Sequence, residues 1–563
     1  MVVTAGLVGG AGVALAQPVI LETRDVKPDW SVTAPRLGST RGPGYVQVNV
    51  GANQANIVGD AGNECSLAVD PRAPLRMVVG WRQFNTIASN FREAGMAWTN
   101  DGGRTWHKST LDAGTFRSDP VVRANADGTI FYHMLWTDTV NTFTEHVARS
   151  TDAGRTWSAP AFCYGGDKLW SVIDKTTGPG RGFIYQWWNT AGNNYYPGQF
   201  NRSTDGGLTF SSPVALSTQI VFGTMAIGPD GEVYLGGSRV LRSTNASNAA
   251  ATPTFSTLTA TNPLGAGVMI GTSTSPNPAG LLGQVNIAVD TSDGPRRGWV
   301  YLLASVPGGG GDPLDVRFSR STNGGSAWSP FVRVNTDPAN ANSWQWFGTM
   351  SIAPNGRLDV VWNDTSESHN ARLSRLYYTS SSDGGVTWAV PQPVTPTWDS
   401  WLGWPQQNKI GDYYDMESDN LGADLVFAAT LNGEQDVYHM RLGPRDCDRD
   451  GIADDAAIAA DPGLDCNLNA IPDRCEVAAG TLRDANHDGV PDICSCPGDL
   501  DDGAGLGNPD GGTDINDLLS FLAQYEAGNI AADLDDGSGT GTLDGGVDLS
   551  DLLFFLVHYE GGC

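Results

Sequence analysis

The octapeptide TNDGGRTW at residues 99–106 recurs along the chain in four further copies. These are STDAGRTW (150–157), STDGGLTF (203–210), STNGGSAW (321–328) and SSDGGVTW (381–388). In each copy the Asp or Asn side chain is expected to cap its own turn, a glycine to take a positive φ, and the final aromatic ring to pack under the hairpin. One copy is a common β-turn, whereas five copies at a regular interval indicate a structural repeat.

Two β-rich runs joined by a Pro, Gly or Asp turn form a longer repeat around this motif. Seven such units begin near residues 66, 120, 170, 224, 285, 349 and 414, and the fourth and seventh lack a full turn motif. Few segments before residue 445 show helical periodicity. Four-stranded units of this length predict an all-β fold, a β-propeller with seven blades, and six blades are the alternative if one unit is misread. The segment YVQVNVG (45–51) is available to close the ring by adding a strand to the last blade.

The turn motif is an Asp box, and residues 45–443 resemble the sialidase and BNR-repeat propeller superfamily. In that superfamily the Asp boxes lie away from the active site. The resemblance therefore implies a structural role for the third residue of each motif, at Asp101, Asp152, Asp205, Asn323 and Asp383. It does not fix the reaction, because the superfamily also contains other glycosidases, lyases and non-catalytic binding propellers.

Three carboxylates stand at the starts of innermost strands, on the face of a propeller that carries the ligand. They are Glu64, Asp119 and Asp412, in units that are neighbours once the ring closes, and Tyr413 and Tyr414 follow directly. Paired carboxylates do general acid/base work in glycosidases. We therefore expect Asp119, Tyr414, Glu64 and Asp412 to be catalytic, and the alternative is that these acids are turn or cap residues.

The ends of the second strands supply aromatic and basic residues to the same face. Aromatic rings stack on the apolar faces of sugar rings, so these positions predict a substrate-binding set; core packing is the alternative for each Trp. The set is Arg82, Trp81, Trp136, Trp188 and Trp362. Sialidases use three Arg, a Tyr–Glu nucleophile pair and an Asp acid, but the Arg-Ile-Pro motif of the family is absent here.

The charge of the chain is concentrated in its last fifth. The net charge is −28, and residues 446–563 hold 26 acidic residues against 3 arginines and no lysine. Such a chain is a poor candidate for a nucleic-acid binder, which needs a basic surface. Within this acidic tail, three windows place oxygen side chains at positions 1, 3, 5 and 9, a spacing that wraps a hard cation. The windows are Asp446, Asp448, Asp450 and Asp454; Asp465, Asn467, Asn469 and Asp473; and Asp484, Asn486, Asp488 and Asp492.

These windows resemble thrombospondin type 3 calcium repeats, over residues 446–496. The remaining 497–563 contains two units offset by 34 residues, each an acidic loop that leads into DLLSFLAQY or DLLFFLVHY. This duplication resembles a dockerin, an EF-hand-like module, although both loops carry a Gly-rich insertion. The resemblance implies calcium as the cofactor and a cohesin-like or cell-surface partner. The expected loop ligands are Asp499, Asp501, Asp514, Asp517, Asp533, Asp535, Asp548 and Asp551.

The ends and the cysteines indicate an exported protein. Residues 1–16 are apolar and close with Ala-Leu-Ala, the form of a signal-peptidase site, and 17–44 reads as a linker. No other segment approaches a membrane span. Six of the eight Cys lie in the tail and predict disulfides. A further disulfide is expected between Cys65 and Cys163, and two buried free thiols are the alternative. Together these features favour a secreted, sialidase-like exo-glycosidase acting on terminal sugars of glycans. The alternative is a non-catalytic propeller that binds glycan or protein and is anchored at the cell surface by its tail.

Overall fold

The computed structural model describes residues 41–42, 44–137, 142–189, 194–309, 311–484, 490–491, 494, 496–501, 503 and 512–562. The expected signal peptide and nearly all of the expected linker lie outside these residues. Strands between residues 61 and 393 form six consecutive antiparallel sheets, and strands between residues 415 and 442 begin a seventh sheet that the two N-terminal strands complete.

The first three sheets are β3 (Ala61–Val69), β4 (Met77–Phe84), β5 (Glu93–Thr99) and β6 (His107–Leu111); β7 (Ser118–Ala124), β8 (Ile130–Thr137), β9 (Phe143–Ser150) and β10 (Ala161–Tyr164); and β11 (Trp170–Ile173), β12 (Ile184–Trp187), β13 (Gly198–Ser203) and β14 (Val214–Ala215). The next two are β15 (Thr224–Ile227), β16 (Val233–Gly236), β17 (Val240–Ser243) and β18 (Ser256–Thr257); and β19 (Asn286–Val289), β20 (Val300–Val306), β21 (Asp315–Ser321) and β22 (Val332–Arg333). The sixth is β23 (Gln345–Ile352), β24 (Leu358–Asp364), β25 (Leu373–Ser381) and β26 (Gln392–Pro393), and β27 (Trp398–Asp399) also pairs with β25. The seventh is β28 (Asp415–Ser418), β29 (Ala423–Ala429), β30 (Asp436–Leu442), β2 (Tyr45–Gln47) and β1 (Arg41–Gly42).

The first strand of each sheet contacts the first strand of the next, and β28 returns to contact β3. The sheets are therefore the blades of a closed ring, which confirms the predicted β-propeller and its seven blades. Strand β3 is buried at all nine positions, because the blades on either side cover both of its faces.

The ring closes through the N-terminal segment, as its sequence predicted. Tyr45 pairs with Met440 and Gln47 pairs with Tyr438, so that β2 becomes the fourth strand of blade 7. Blade 7 is therefore built from strands at both ends of the propeller segment, which holds the first and last blades together.

The Asp boxes form the turns between the third and fourth strands of their blades. In the first box, Oδ1 of Asp101 accepts hydrogen bonds from the backbone N–H groups of Arg104 (2.8 Å) and Thr105 (3.0 Å). Oδ2 of Asp101 accepts the Thr105 hydroxyl at 2.6 Å. Since successive strands alternate in direction, these turns lie at the opposite end of the blade from Glu64, in agreement with a structural role.

Blade 4 contains a sixth turn of this kind that the sequence pattern did not reveal. Ser243 donates its hydroxyl to Oδ1 of Asn245 (3.0 Å), and the same oxygen accepts the backbone N–H of Thr254 (2.9 Å). The motif is interrupted between Asn245 and Thr254 by an insertion, which hides its spacing in the sequence.

The tail contains short helices and disulfides. The helices with bounds among its described residues are Asp454–Ala460, Asp473–Ala479, Ile515–Glu526 and Leu549–Gly561, with 3₁₀ turns at Pro462–Leu464 and Ile530–Ala532. Disulfides join Cys447 to Cys475 and Cys466 to Cys494, which confirms the prediction of disulfides in the tail. Among the described residues, no helix has both the length and the apolar character that crossing a bilayer requires.

The predicted disulfide between Cys65 and Cys163 is wrong, because both are buried free thiols. Cys65 lies on the innermost strand of blade 1, whereas Cys163 lies on the outermost strand of blade 2. The two side chains belong to different hydrophobic clusters, separated by the depth of a blade.

Candidate functional site

Backbone bulges direct side chains towards the propeller axis at the start of the innermost strands. Glu64 has a φ of 53° and Asp119 a φ of 47°, and each sits where the register of its strand pair shifts. Lys168, just before β11, has a φ of 55°. Residues other than glycine rarely adopt this left-handed conformation, and such strain is concentrated at functional or tightly constrained sites.

Two lysines and three carboxylates meet at this point, and we call Glu64, Asp119, Lys168, Lys409 and Asp412 the axial cluster. Nζ of Lys168 lies 3.4 Å from Oδ2 of Asp119 and 3.8 Å from Oε1 of Glu64, and it also forms an ion pair with Asp412. Nζ of Lys409 lies 2.7 Å from Oδ2 of Asp412 and 3.2 Å from Oε1 of Glu64. The structure thus brings together the three carboxylates that the sequence placed on this face.

Sequence reasoning missed both lysines. Their signal is a Lys that precedes the innermost strand in GGDKLW (165–170) and QNKIGD (407–412), next to acids on the ligand face. A search for the arginines of a sialidase passes over them.

Arginines complete the charge balance around the axial cluster. Nε of Arg82 lies 3.2 Å from Oε2 of Glu64 and donates to the Asn63 amide oxygen at 2.8 Å. Nε of Arg92 donates to the Ser118 hydroxyl (3.1 Å), which in turn donates to Asp119 (2.6 Å).

This environment separates the pKa values of neighbouring acids. Burial raises the pKa of Glu64 to about 7, although Arg82 and the lysines oppose the rise. Burial acts in the same direction on Asp119 and Asp412, but Lys168 prevails and holds the pKa of both below its usual range. Burial also raises the pKa of the adjacent Asp167 to about 6.

A segment from the connection between blades 4 and 5 covers the axial cluster. The backbone N–H of Leu281 donates to Oδ1 of Asp412 (2.7 Å), and the Asn277 amide donates to the carbonyl oxygen of Gly411 (2.8 Å). A Cβ on Gly280 would lie 2.8 Å from Oδ1 of Asp412, so this close approach depends on glycine. The two lysine side chains are the most exposed members of the axial cluster, at 11% for Lys168 and 13% for Lys409, against 6% for Asp119, 3% for Asp412 and 0% for Glu64.

The structure does not bring Tyr414 to the axial cluster. Its hydroxyl donates to the carbonyl oxygen of Ala428 (2.6 Å) and accepts from the Asn363 amide (3.0 Å), deep between blades. Burial raises the pKa of neighbouring Tyr413, and the charges of Glu64 and Asp119 raise it further. The Tyr413 hydroxyl nevertheless donates to the carbonyl oxygen of Pro120. The expected Tyr–Glu pair is therefore not formed by Tyr414.

Three of the expected substrate-stacking tryptophans are core residues. Trp81, Trp188 and Trp362 are buried, and the indole N–H of Trp362 donates to Asp364. Trp81 occupies the space left by Gly95, whose Cβ would lie 2.5 Å from the Trp81 ring. These three rings offer no exposed face to a sugar, because their strand positions point between sheets.

Aromatic rings that are half-buried or exposed are found instead on the rim of blades 2 and 3. Trp136, His146, Phe162, Tyr164 and Tyr195, which we call the aromatic ribbon, contact one another in sequence with ring-centroid distances of 4.9–6.4 Å. Phe162 is 47% exposed, and Tyr196 beside the ribbon is 68% exposed. Trp136 is the one predicted stacking Trp that belongs to this surface.

The first two tail windows fold into loops that suit a hard cation. In the first, Asp446, Asp448 and Asp450 place a carboxylate oxygen each within 4.8 Å of one another. In both windows the ninth residue is the first of a helix, and its carboxylate accepts the backbone N–H of the cysteine at the second position: Asp454 from Cys447, and Asp473 from Cys466. Oxygen-only donors at these positions fit calcium. Of the third window, Asn486, Asp488 and Asp492 lie outside the described residues.

Glu476 joins the second window, although the sequence reading missed it. Its carboxylate accepts hydrogen bonds from the amides of Asn467 (3.2 Å) and Asn469 (2.7 Å), and burial raises its pKa to about 7. Counted from Asp465 it stands at position 12, where EF-hand loops place a bidentate acid. This spacing could have identified Glu476 as a ligand candidate from the sequence.

Where the structure describes them, the two C-terminal loops make matching contacts. Oδ1 of Asp517 accepts the backbone N–H groups of Leu500 and Asp501 at 2.6 and 2.8 Å. Oδ1 of Asp551 accepts those of Leu534 and Asp535 at 2.6 and 2.9 Å. Oδ2 of each acid also accepts the backbone N–H of the residue that caps its helix, Asp514 or Asp548, so part of the coordination capacity of Asp517 and Asp551 is used within the loop. The following helices pack through stacked Phe521 and Phe555 rings, 4.2 Å apart.

Comparison with known proteins finds distant structural similarity at low sequence identity. No protein-family model matches this chain, and no curated protein matches its sequence. Among solved structures, a protein of unknown function from Dyadobacter fermentans shares 12% identity over 72% of this chain and 99% of its own, with a TM-score of 0.40. The Hadza microbial sialidase Hz136 shares 14% identity over 68% of this chain and 66% of its own (TM-score 0.36). YCF48 bound to D1 peptide shares 13% over 71% of this chain and 95% of its own (TM-score 0.38).

Proposed function

We propose that this protein is an exported, non-catalytic propeller that binds a glycan on the rim of blades 2 and 3. The observation that carries the proposal is the state of the axial cluster: each of its carboxylates is buried and ion-paired with a lysine or arginine. Acids that are ion-paired in this way fix the positions of the lysines, and the 277–281 segment covers the axial cluster. A glycosidase needs its acid and base open to the substrate.

The aromatic ribbon supplies the ligand surface under this proposal. Exposed rings present flat apolar faces to the C–H faces of pyranose sugars, and flanking polar groups can bond the hydroxyls. Arg117, beside His146, is already ion-paired with Asp112, so the charge of this arginine is balanced within the rim. A neutral glycan suits such a surface better than an acidic one.

A sialidase-like exo-glycosidase is the second candidate, and one observation favours it. Glu64, with a pKa of about 7, lies beside Asp119 and Asp412, which are held ionised. Neighbouring acids with separated pKa values are typical of an acid and base pair. In this reading Asp119, Glu64 and Asp412 act on the glycosidic bond and Arg82 binds the substrate.

Binding and turnover measured on the same protein separate the two candidates. The purified protein with calcium is applied to a glycan array and to chromogenic glycosides that include a sialoside. We expect glycan binding without turnover, and at least a tenfold loss of affinity in Phe162→Ala and Tyr196→Ala. The control is Phe331→Ala, an exposed ring on blade 5. Turnover that Asp119→Asn abolishes would establish the glycosidase instead.

The acidic tail serves as a calcium-dependent attachment module in this proposal. We keep the division into an export signal (1–16), linker (17–44), propeller (45–443), calcium repeats (446–496) and a dockerin-like pair (497–563). The two disulfides are consistent with an extracellular protein. Equivalent positions of the two C-terminal helices expose apolar side chains, which a cohesin-like protein would cover: Ile515, Leu519, Leu549, Leu553 and Val557. Loss of binding to cell-surface fractions in Leu519→Asp and Leu553→Asp, but not in Phe162→Ala, tests this attachment.

A further inference from the structure

The aromatic surface of the ligand face extends beyond the aromatic ribbon towards blade 1. Phe91 lies in the connection between β4 and β5, and Phe116 lies in the connection between β6 and β7. Their ring centroids are 6.4 Å apart, and Phe91 is 44% exposed while Phe116 is half-buried. Both connections lie at the end of the blades that carries Glu64, opposite the Asp boxes, so the two rings share a face of the propeller with the ribbon.

A hydrogen bond joins this pair of rings to the ribbon. Nη1 of Arg117, the residue that follows Phe116, donates to Nδ1 of the ribbon residue His146 at 3.1 Å. The guanidinium carbon of Arg92 lies 4.5 Å from the centroid of the Phe116 ring, a cation–π contact that fixes the orientation of the ring. The aromatic surface therefore runs from blade 1 across blade 2 to Tyr195 on blade 3.

The two arginines beside these rings have partners within the protein. Arg117 forms an ion pair with Asp112. Arg92 is 3% exposed and donates to the backbone and side-chain oxygens of Asn90, at 3.2 and 3.1 Å. The rings next to them suit the C–H faces of a neutral sugar better than an acidic group, because the positive charges are already compensated or hydrogen-bonded.

The spacing of the rings suits a ligand longer than one sugar. Centroids of rings in contact are 4.9–6.4 Å apart, between Phe91 and Phe116 and from His146 through Phe162 and Tyr164 to Tyr195. Each step is comparable with the size of one pyranose ring. A single sugar would cover one or two of these rings, whereas an extended chain places successive C–H faces on several of them.

We propose that the surface from Phe91 to Tyr195 binds a linear, neutral oligosaccharide through several consecutive sugar units. This inference rests on the proposed function, because it uses the same glycan-binding rim, and it names the class of glycan that the rim takes. Phe91 and Phe116 form the blade 1 end of the surface and contact units beyond those that lie on the ribbon. Affinity then rises with chain length, since each further stacked unit removes apolar area from water.

A glycan array with the full-length protein in calcium tests the proposal. The array carries neutral linear glycans of increasing length, together with branched and sialylated chains. For the wild type we expect the dissociation constant to fall as a neutral chain lengthens. Phe91→Ala should weaken binding of the longest chain about fivefold, and the loss should shrink as the chain shortens. The control is Phe331→Ala, an exposed ring on blade 5 that should leave the length dependence unchanged.

The outcomes separate this inference from the proposed function. Binding that Phe162→Ala weakens but that does not depend on chain length would keep the glycan-binding rim and overturn the extended surface. An equal loss for short and long chains in Phe91→Ala would overturn it as well, and a preference for sialylated chains would overturn the neutral ligand. Absence of binding to every glycan would overturn the proposed function together with this inference. The length dependence is measured on the wild-type protein, so it does not require a variant that folds.

Discussion

The guanidinium group of Arg104, in the first Asp box, donates a 2.7 Å hydrogen bond to the carbonyl oxygen of Asn469 in the second tail window. A second bond of 3.0 Å reaches the carbonyl oxygen of Ala470. Beside these bonds, Leu75 of blade 1 packs against Ile471 and the Cys447–Cys475 disulfide. This part of the tail is therefore seated on the turn face of blade 1, and it does not project as a free stalk.

Removal of the Arg104 side chain should loosen this contact. Charge-assisted hydrogen bonds contribute about 1.5–3 kcal/mol, so Arg104→Ala should raise the rate of limited proteolysis in the tail about tenfold or more. The matched control is Arg155→Ala, at the same motif position in the second Asp box, where the side chain stacks over Trp98. Equal protection in the two variants would show that the apolar contacts alone seat the tail.

Chelation of calcium should expose the tail to protease while its disulfides remain closed. In the first window Asp446, Asp448 and Asp450 lie close enough to repel one another, and bound calcium would neutralise them. We expect cleavage after residue 445 in chelator and protection in millimolar calcium, followed by gel electrophoresis under non-reducing conditions. Asp448→Asn, which lowers the repulsion, should be cleaved more slowly in chelator than the wild type. Identical cleavage patterns with and without calcium would contradict a folding role for the ion.

The blade count was accessible from sequence because each blade repeats one local unit. The Asp box depends on a few hydrogen bonds within a turn, so its residue types recur wherever the turn does. An insertion in the turn conceals this regularity, as the Asn245 turn of blade 4 shows. The closing strand Tyr45–Gln47 was accessible for a related reason, since an unpaired β-rich run must find an edge.

Only part of the candidate site could be predicted from the sequence. Topology alone places strand starts on one face, and it therefore brought Glu64, Asp119 and Asp412 together. Which way a strand-end side chain points depends on a bulge or a one-residue change of register, and this decides that Trp81 is core while Trp136 reaches the rim. The pairing of acids with Lys168 and Lys409 arises from loops of different blades, and no local pattern encodes it.

Loss of Lys168 should destabilise the propeller strongly. Lys168→Met would leave the buried Asp119 without its lysine partner, while Asp412 would keep its ion pair with Lys409, at a cost of about 3–5 kcal/mol in the free energy of unfolding. The control is Lys175→Met, whose ion pair with Glu417 is exposed and should change stability by less than about 1 kcal/mol. Urea unfolding followed by Trp fluorescence measures both. The double variant Lys168→Met with Asp412→Asn should recover part of the lost stability. If Lys168→Met costs no more stability than Lys175→Met, the axial cluster does not stabilise the contacts between blades.

Acid should weaken blade 7 through one buried carboxylate, Asp424. Its oxygens lie 2.8 Å from Arg445, 2.9 Å from Arg441 and 2.9 Å from His439. Burial alone would raise the pKa of Asp424, but the two arginines hold it well below its usual value of 3.8. The unfolded chain therefore binds a proton more readily than the folded one, and the stability contributed by this group is present above about pH 4 and lost as the pH falls further.

Asp424→Asn should lower the free energy of unfolding at pH 7 by about 3 kcal/mol and flatten its decline below pH 4. Asp419→Asn, which removes a more exposed partner of Arg441, is the control and should decline with pH as the wild type does. Thermal unfolding at pH 7, 4 and 3 measures the three proteins, and parallel curves for Asp424→Asn and the wild type would show that other carboxylates govern the acid response.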